Sequence, residues 1–164
     1  METAVKRERI YLDSSVIGGY YDPEFAEDSK RVIDYVRGGR VTLLLSEVVV
    51  QEILNAPARV QEVLFSIPPD NVERIELTAE ILALRDAYLR AEIVAGRWID
   101  DATHVAAATI ARADAIVSWN FNHIVRLDKM RAYNQVNLLN GYGILTIVSP
   151  KEVRYDEPSD EEGV

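Results

Sequence analysis

The sequence predicts an α/β domain with a mainly parallel sheet covered by helices on both faces. Three observations carry this expectation. Short apolar, β-branched runs alternate with helix-patterned stretches along the whole chain, which is the rhythm of βαβ crossovers. The first of these runs are apolar without polar alternation, as strands covered on two faces must be. The chain has 164 residues, 48% hydrophobic and 27% charged, which fits one globular domain with a core of its own.

The elements follow in order. Residues 9–13 (RIYLD) form a short apolar run stopped by a carboxylate and read as a buried strand. Residues 29–37 read as a helix that stops at Gly38-Gly39, and 41–45 (VTLLL) as a second buried strand, completing a βαβ unit. Ser46 is placed to cap the helix EVVVQEIL, which breaks near Pro57, and an amphipathic stretch over 58–65 ends at Pro68-Pro69. Residues 71–75 are a candidate third strand. Thr78 opens a long helix with Ile81, Leu84, Tyr88 and Ala91 at helical spacing, closing near Gly96. Asp100 starts the next helix (DATHVAAATIAR). Residues 115–118 (AIVS) are strand-like, 122–139 mostly helical, and 144–148 (ILTIV) strand-like again. The domain so defined spans residues 9 to 153. Residues 154–164 carry Asp156, Glu157, Asp160, Glu161 and Glu162 and read as an acidic, solvated tail, and the polar first eight residues are expected to fray.

Composition removes several classes of chemistry. A formal net charge of -9 rules out a nonspecific phosphate-binding coat. With no cysteine there are no disulfides, thiolate zinc sites or thiol nucleophiles. No uninterrupted apolar run exceeds four residues, so neither a membrane span nor a signal-peptide core is expected, and a cytoplasmic location is the default. There is no G-x-G-x-x-G or G-x-x-x-x-G-K-[ST] to cradle phosphates. No serine lies in G-x-S-x-G, and the two histidines, His104 and His123, do not form H-E-x-x-H. Carboxylate chemistry remains.

Three acids stand out. Asp13 ends the first strand at the edge where open α/β sheets bind ligands; equally, Asp13 itself, or Ser14 or Ser15, is placed to cap a following short helix. Glu52 falls between Val48 and Val49 around its helix axis and so points inward, whereas Glu47 and Gln51 point away. An ionised group there requires an ion pair, a hydrogen bond, a metal, or a helix end from which it reaches water. Asp100 and Asp101 open an alanine-rich helix, where acids are also favoured by free amides and the helix dipole. His104 lies one turn after Asp101 and reads as a packed, hydrogen-bonded histidine. In the βαβ layout Asp13, Glu52 and Asp101 arrive at one sheet edge. Three oxygen-donor acids suit a hard cation, Mg²⁺ or Mn²⁺, and such a site hydrolyses phosphodiesters.

The order YLDSSVI, SEVVVQEI and DDATHVAAATIARADAIVSWNFNHIV resembles the PIN-domain family, the nucleases best known as VapC-like toxins of toxin–antitoxin operons. The resemblance covers about residues 9 to 153. It implies a three-layer α/β/α sandwich, commonly dimeric, acting on RNA with an antitoxin protein as partner. It makes Asp13, Glu52 and Asp101 the first three family acids, the last through the D-A-x-H-x-A pattern, with Asp100 as a capping neighbour. The fourth family acid is replaced by Asn120 in Ser-Trp-Asn-Phe, which adds no negative charge and weakens the case for a second metal. Arg126, Lys129 and Arg131, and separately Arg97 with Trp98, are candidate contacts to RNA, each with the plainer reading of a solvated helix face or a core tryptophan. The competing reading is a catalytically weak PIN-like module that binds RNA or a protein. A phosphatase with Asp13 as covalent nucleophile is disfavoured, because position 15 is Ser where a second Asp belongs.

Overall fold

The computed structural model describes residues 7–155; the first six residues and most of the segment expected as an acidic tail lie outside the described residues. Strands β1 (Glu8–Leu12), β2 (Val41–Ser46), β3 (Val72–Ile75), β4 (Ala115–Val117) and β5 (Ile147–Val148) form one sheet in the order β3-β2-β1-β4-β5. Every pairing is parallel, with Tyr11 opposite Leu44 on one side of β1 and Leu12 opposite Val117 on the other. Helices α1 (Ser14–Gly18), α2 (Ala26–Arg37), α3 (Glu47–Leu54), α4 (Ala58–Phe65), α5 (Ala79–Arg90), α6 (Ile99–Ile110) and α7 (Leu127–Leu139) flank it. The arrangement is the expected α/β/α sandwich.

Burial explains the composition of the strands. Tyr11, Leu12, Leu43, Leu44, Ile116 and Val117 are fully buried, so consecutive residues on both sheet faces are covered and a continuous apolar run is required. In α6 every residue from Ala102 to Thr109 is buried, and its alanines let the helix axis lie close to its neighbours. Because the strands are parallel and β1 lies between β2 and β4, their carboxyl ends are adjacent. Asp13 follows β1, Ser46 ends β2 and Ser118 follows β4, and the Asp13 amide donates to the Val117 carbonyl at 3.3 Å.

Several element ends differ from expectation. The helix expected from residue 29 begins at Ala26, because Asp22 already nucleates a turn through its side chain and carbonyl; Ser29 is a buried interior residue bonded to Trp119. Helix α5 ends at Arg90 rather than near Gly96: Glu92 takes a positive φ of 57°, turning Ile93 and Val94 into the core. Asp100 does not cap α6; the helix starts at Ile99, and Asp100 is an exposed acid in its first turn. Residues 121–126 are turns, with the Asn120 carbonyl taking amides from Ile124 and Val125, so only Leu127–Leu139 is helical of the stretch expected as such. Strand β5 is short because Leu145 satisfies its amide and carbonyl on the Asn134 side chain, at 2.7 and 3.0 Å, rather than on a neighbouring strand.

Candidate active site

The site is built outward from the carboxyl edge of the sheet. Asp13 is both things its sequence position allowed. It caps α1, its Oδ1 accepting the Ser15 amide at 3.2 Å and the Ser15 hydroxyl at 2.5 Å, and its Oδ2 accepts the Ser118 hydroxyl at 2.5 Å. It is also buried where ligands reach such folds. Burial pushes its pKa up; the charge of His104 and the Ser118 and Ser15 hydroxyls oppose this without reversing it.

Glu52, on the inward phase of α3, is half-buried and its Oε1 lies 2.6 Å from His104 Nε2. That oxygen has no other partner and no well-aligned donor among the described residues. Burial acts to raise the Glu52 pKa, but contact with His104 and its charge outweigh that, with help from Ser14, and hold it below the ordinary glutamate value. His104 is the packed histidine the sequence suggested, reached from α6. Its Nδ1 lies 2.7 Å from the Tyr11 hydroxyl, which in turn lies 2.6 Å from Ser46 Oγ, so β1, β2 and α6 brace one ring. Burial acts to lower the His104 pKa. Close contact with Glu52 and its charge, then the charges of Asp13 and Asp101, outweigh burial and raise it. Glu52 touches this buried imidazole, and the charges of Asp13 and Asp101 also act on it.

Asp101, in the first turn of α6, is partly buried and its Oδ2 lies 3.0 Å from His123 Nδ1. Asn120 lies two residues beyond Ser118. Its amide donates to Ser118 Oγ at 2.9 Å and its Oδ1 accepts the His123 amide at 2.9 Å, so the side-chain oxygen secures the turn that carries His123. His123, Ser118 and Tyr11 were not singled out from the sequence, and Ser15 was expected, like Ser14, only as an alternative cap. The only local trace of His123 was its position three residues after an Asn able to cap.

The donor set has mixed fitness for a hard cation. Its oxygen chemistry is suitable, and Glu52 Oε1 is a buried acceptor without an aligned donor. As the side chains stand, however, Asp13 already accepts three serine donors, Glu52 leans on His104 and Asp101 on His123. No group of three or more acidic or histidine side chains among the described residues is close enough to hold an ion directly.

Two clefts lie near this edge of the sheet, one lined by Glu52 and the other by His123, which touches Asp101. One, of about 810 Å³, is lined by Ser14, Glu52, Tyr21 and Arg59. The other, of about 430 Å³, is lined by Trp98, Asn122, His123, Arg126 and Lys129. Of the expected cationic contacts, Arg126 is exposed but paired with Asp128 at 2.6 Å, Lys129 donates to the Ile93 carbonyl, and Arg131 is exposed. Trp98 is no core residue: it is 40% exposed, with its ring centroid 4.4 Å from that of His123 and 5.4 Å from the Arg97 guanidinium.

No protein-family model matches the chain, and no curated protein does. Among solved structures the chain is similar to VapBC2 from Rickettsia felis bound to a DNA fragment from their promoter, with 13% identity over 86% of this chain and 98% of that one and a TM-score of 0.51. It is similar also to FitAcB from Neisseria gonorrhoeae, with 14% identity over 88% and 99% of the two chains and a TM-score of 0.54. FitAB bound to an IR36 DNA fragment gives 14% identity, 90% and 99% coverage, and a TM-score of 0.54. At such identities the likeness concerns the fold, and the fold is PIN-like.

Proposed function

We propose that this chain is a metal-dependent endoribonuclease of PIN type, hydrolysing RNA phosphodiester bonds at Asp13, Glu52 and Asp101 with Asn120 beside them, and that it is the toxin of a toxin–antitoxin pair. One observation supports the reading: Glu52 touches the buried His104 at the carboxyl edge of a parallel sheet, and the charges of Asp13, at the end of β1, and Asp101, at the start of α6, bear on the same imidazole. Each acid has a structural partner, Ser15 and Ser118 for Asp13, His104 for Glu52 and His123 for Asp101, but like charges brought near one another still oppose folding. The likeness in fold to VapBC2 and FitAB supports the toxin reading and an antitoxin partner. A cytoplasmic location and a homodimer belong to the same proposal; no helix among the described residues is long and apolar enough to cross a membrane.

Asp13, Glu52 and Asp101 would hold Mg²⁺ or Mn²⁺, which when bound supplies Lewis acidity at the phosphate and a water of lowered pKa. The chain's own residues keep the acids ready. Ser15 and Ser118 fix the Asp13 rotamer, His104 braced by Tyr11 keeps Glu52 ionised and oriented, and His123 holds Asp101. A weakly catalytic binding module is the second reading, favoured by the three serine donors that Asp13 already accepts and by Asn120 spent on a turn.

RNA cleavage with Mg²⁺ or Mn²⁺ tests both. Asp13→Asn, Glu52→Gln and Asp101→Asn should each reduce cleavage by at least roughly a hundredfold with the fold retained, since changes merely beside metal ligands already cost about ten- to a hundredfold. Cleavage that survives chelation, or that is equal in wild type and all three variants, overturns the nuclease assignment. RNA binding without any cleavage selects the second reading.

A further inference from the structure

Trp98 sits where helix periodicity does not explain it. It closes a 3-10 turn (Gly96–Trp98) before α6, is 40% exposed, and lies with its ring tilted 30° against His123, the residue that touches Asp101. Other large hydrophobic side chains are as exposed, Phe65 and Leu139 more so; what sets Trp98 apart is its contact with His123 beside a cleft. The cleft beside it is bounded by Arg126 and Lys129, and the exposed Arg97 guanidinium hangs over the indole. An aromatic platform, an exposed cation beside it and a cleft one side chain away from a candidate catalytic acid form the chemistry that receives a nucleobase.

We propose that Trp98, packed against His123, is a base-stacking subsite for single-stranded RNA next to Asp101, the base displacing the exposed Arg97 guanidinium from the indole. The proposal rests on the RNA reading given above and adds the element that holds a nucleotide in place. Lys129 is engaged by the Ile93 carbonyl and Arg126 shares its charge with Asp128, so few free cations meet phosphate here. Affinity at this subsite comes from stacking more than from charge, and its dependence on salt is shallow.

The sequence provides a spectroscopic handle. There are two tryptophans, and Trp119 is buried, stacked on Phe25 at 4.2 Å and bonded to Ser29, so quenching by a base reports Trp98. The full chain is titrated in chelator, where no metal-dependent cleavage occurs, with a short labelled oligoadenylate and with an abasic ribose-phosphate oligomer of the same length. Oligoadenylate should quench the fluorescence and the abasic oligomer should not. By anisotropy, Trp98→Leu should weaken oligoadenylate binding about tenfold and Trp98→Tyr should keep it within about twofold, because a phenol still stacks. Equal binding of the two oligomers overturns the subsite, as does unchanged binding by a Trp98→Leu protein with a wild-type melting curve. If no RNA binds at all, Trp98 is left as a contact for a protein partner and the proposal falls. Binding through Trp98 without metal-dependent cleavage keeps the subsite and removes the nuclease; cleavage with a KM unaffected by Trp98→Leu does the reverse.

Discussion

A carboxylate buried as Asp13 is works against its own fold when ionised. Its pKa is raised by burial above that of an unfolded aspartate, so the native state binds the proton more tightly and the associated stability is lost as pH rises through the folded value. Asp13→Asn removes the charge and leaves an oxygen to accept from Ser15 and an amide to donate to Ser118. In chelator the variant should therefore melt higher than wild type near neutrality, and the gain should vanish below about pH 4, where both side chains are neutral. Melting curves across that interval decide it: a lower melting temperature for Asp13→Asn at neutral pH would mean that its serine bonds outweigh burial. At this scale the acids were legible because strand ends and helix phase are local properties; the inward phase of Glu52 followed from its neighbours alone. Their supports were not. Ser118 meets Asp13 across 105 residues and Tyr11 meets His104 across 93, and no local pattern encodes such pairings. The size of Trp98 suggested the core, but a single turn has no periodicity to say which way a side chain faces.

Helices α5, α6 and α7 are locked by polar contacts inside an apolar layer. The buried Tyr88 hydroxyl donates to Asn137 Oδ1 and lies 3.3 Å from Thr109 Oγ1, to which Asn137 Nδ2 also donates at 3.3 Å. Tyr88→Phe leaves the Asn137 oxygen without its principal donor in a place water does not reach, a loss of about 1–3 kcal/mol. Replacing both, Tyr88→Phe with Asn137→Leu, removes the orphaned group as well, so the double variant should lose less than the two single losses added together. A denaturant-unfolding cycle measures this, and strict additivity would show that the three residues do not act as a unit. The same scale shows why element ends were read less well than element order. Capped starts were legible: Ser46 and Thr78 each accept an amide three residues on, where the sequence placed the caps. The end of α5 was not, because Ile93 and Val94 continue a helical pattern in sequence yet are buried only if the chain turns at Glu92. The length of β5 was hidden for a similar reason, since Asn134 substitutes for a strand from a distant helix.

For the whole molecule the question is how a chain of net charge -9 tolerates Asp13, Glu52 and Asp101 together. Two histidines and two serines offset part of the repulsion, and under the proposed function a divalent cation offsets the rest. A cation bound only by the native state stabilises by mass action, about 2.7 kcal/mol when its free concentration is about a hundred times Kd. For a domain of this size that is a rise of roughly 5–10 °C in melting temperature. Mn²⁺ should therefore raise the wild-type Tm above its value in chelator, and Glu52→Gln should abolish most of the rise. Asn120→Asp extends the comparison. The carboxylate retains an acceptor for the His123 amide, so the turn survives, while a fourth negative charge joins the neighbourhood of Asp101. In chelator this variant should melt below wild type, because the added charge meets uncompensated acids. With Mn²⁺ the sign reverses, since another anionic oxygen strengthens coordination of a hard cation, and its metal-induced shift should exceed that of wild type. Equal shifts would place Asn120 outside the site, and no shift in either protein would remove the metal from the proposal while leaving the PIN-like fold as it stands.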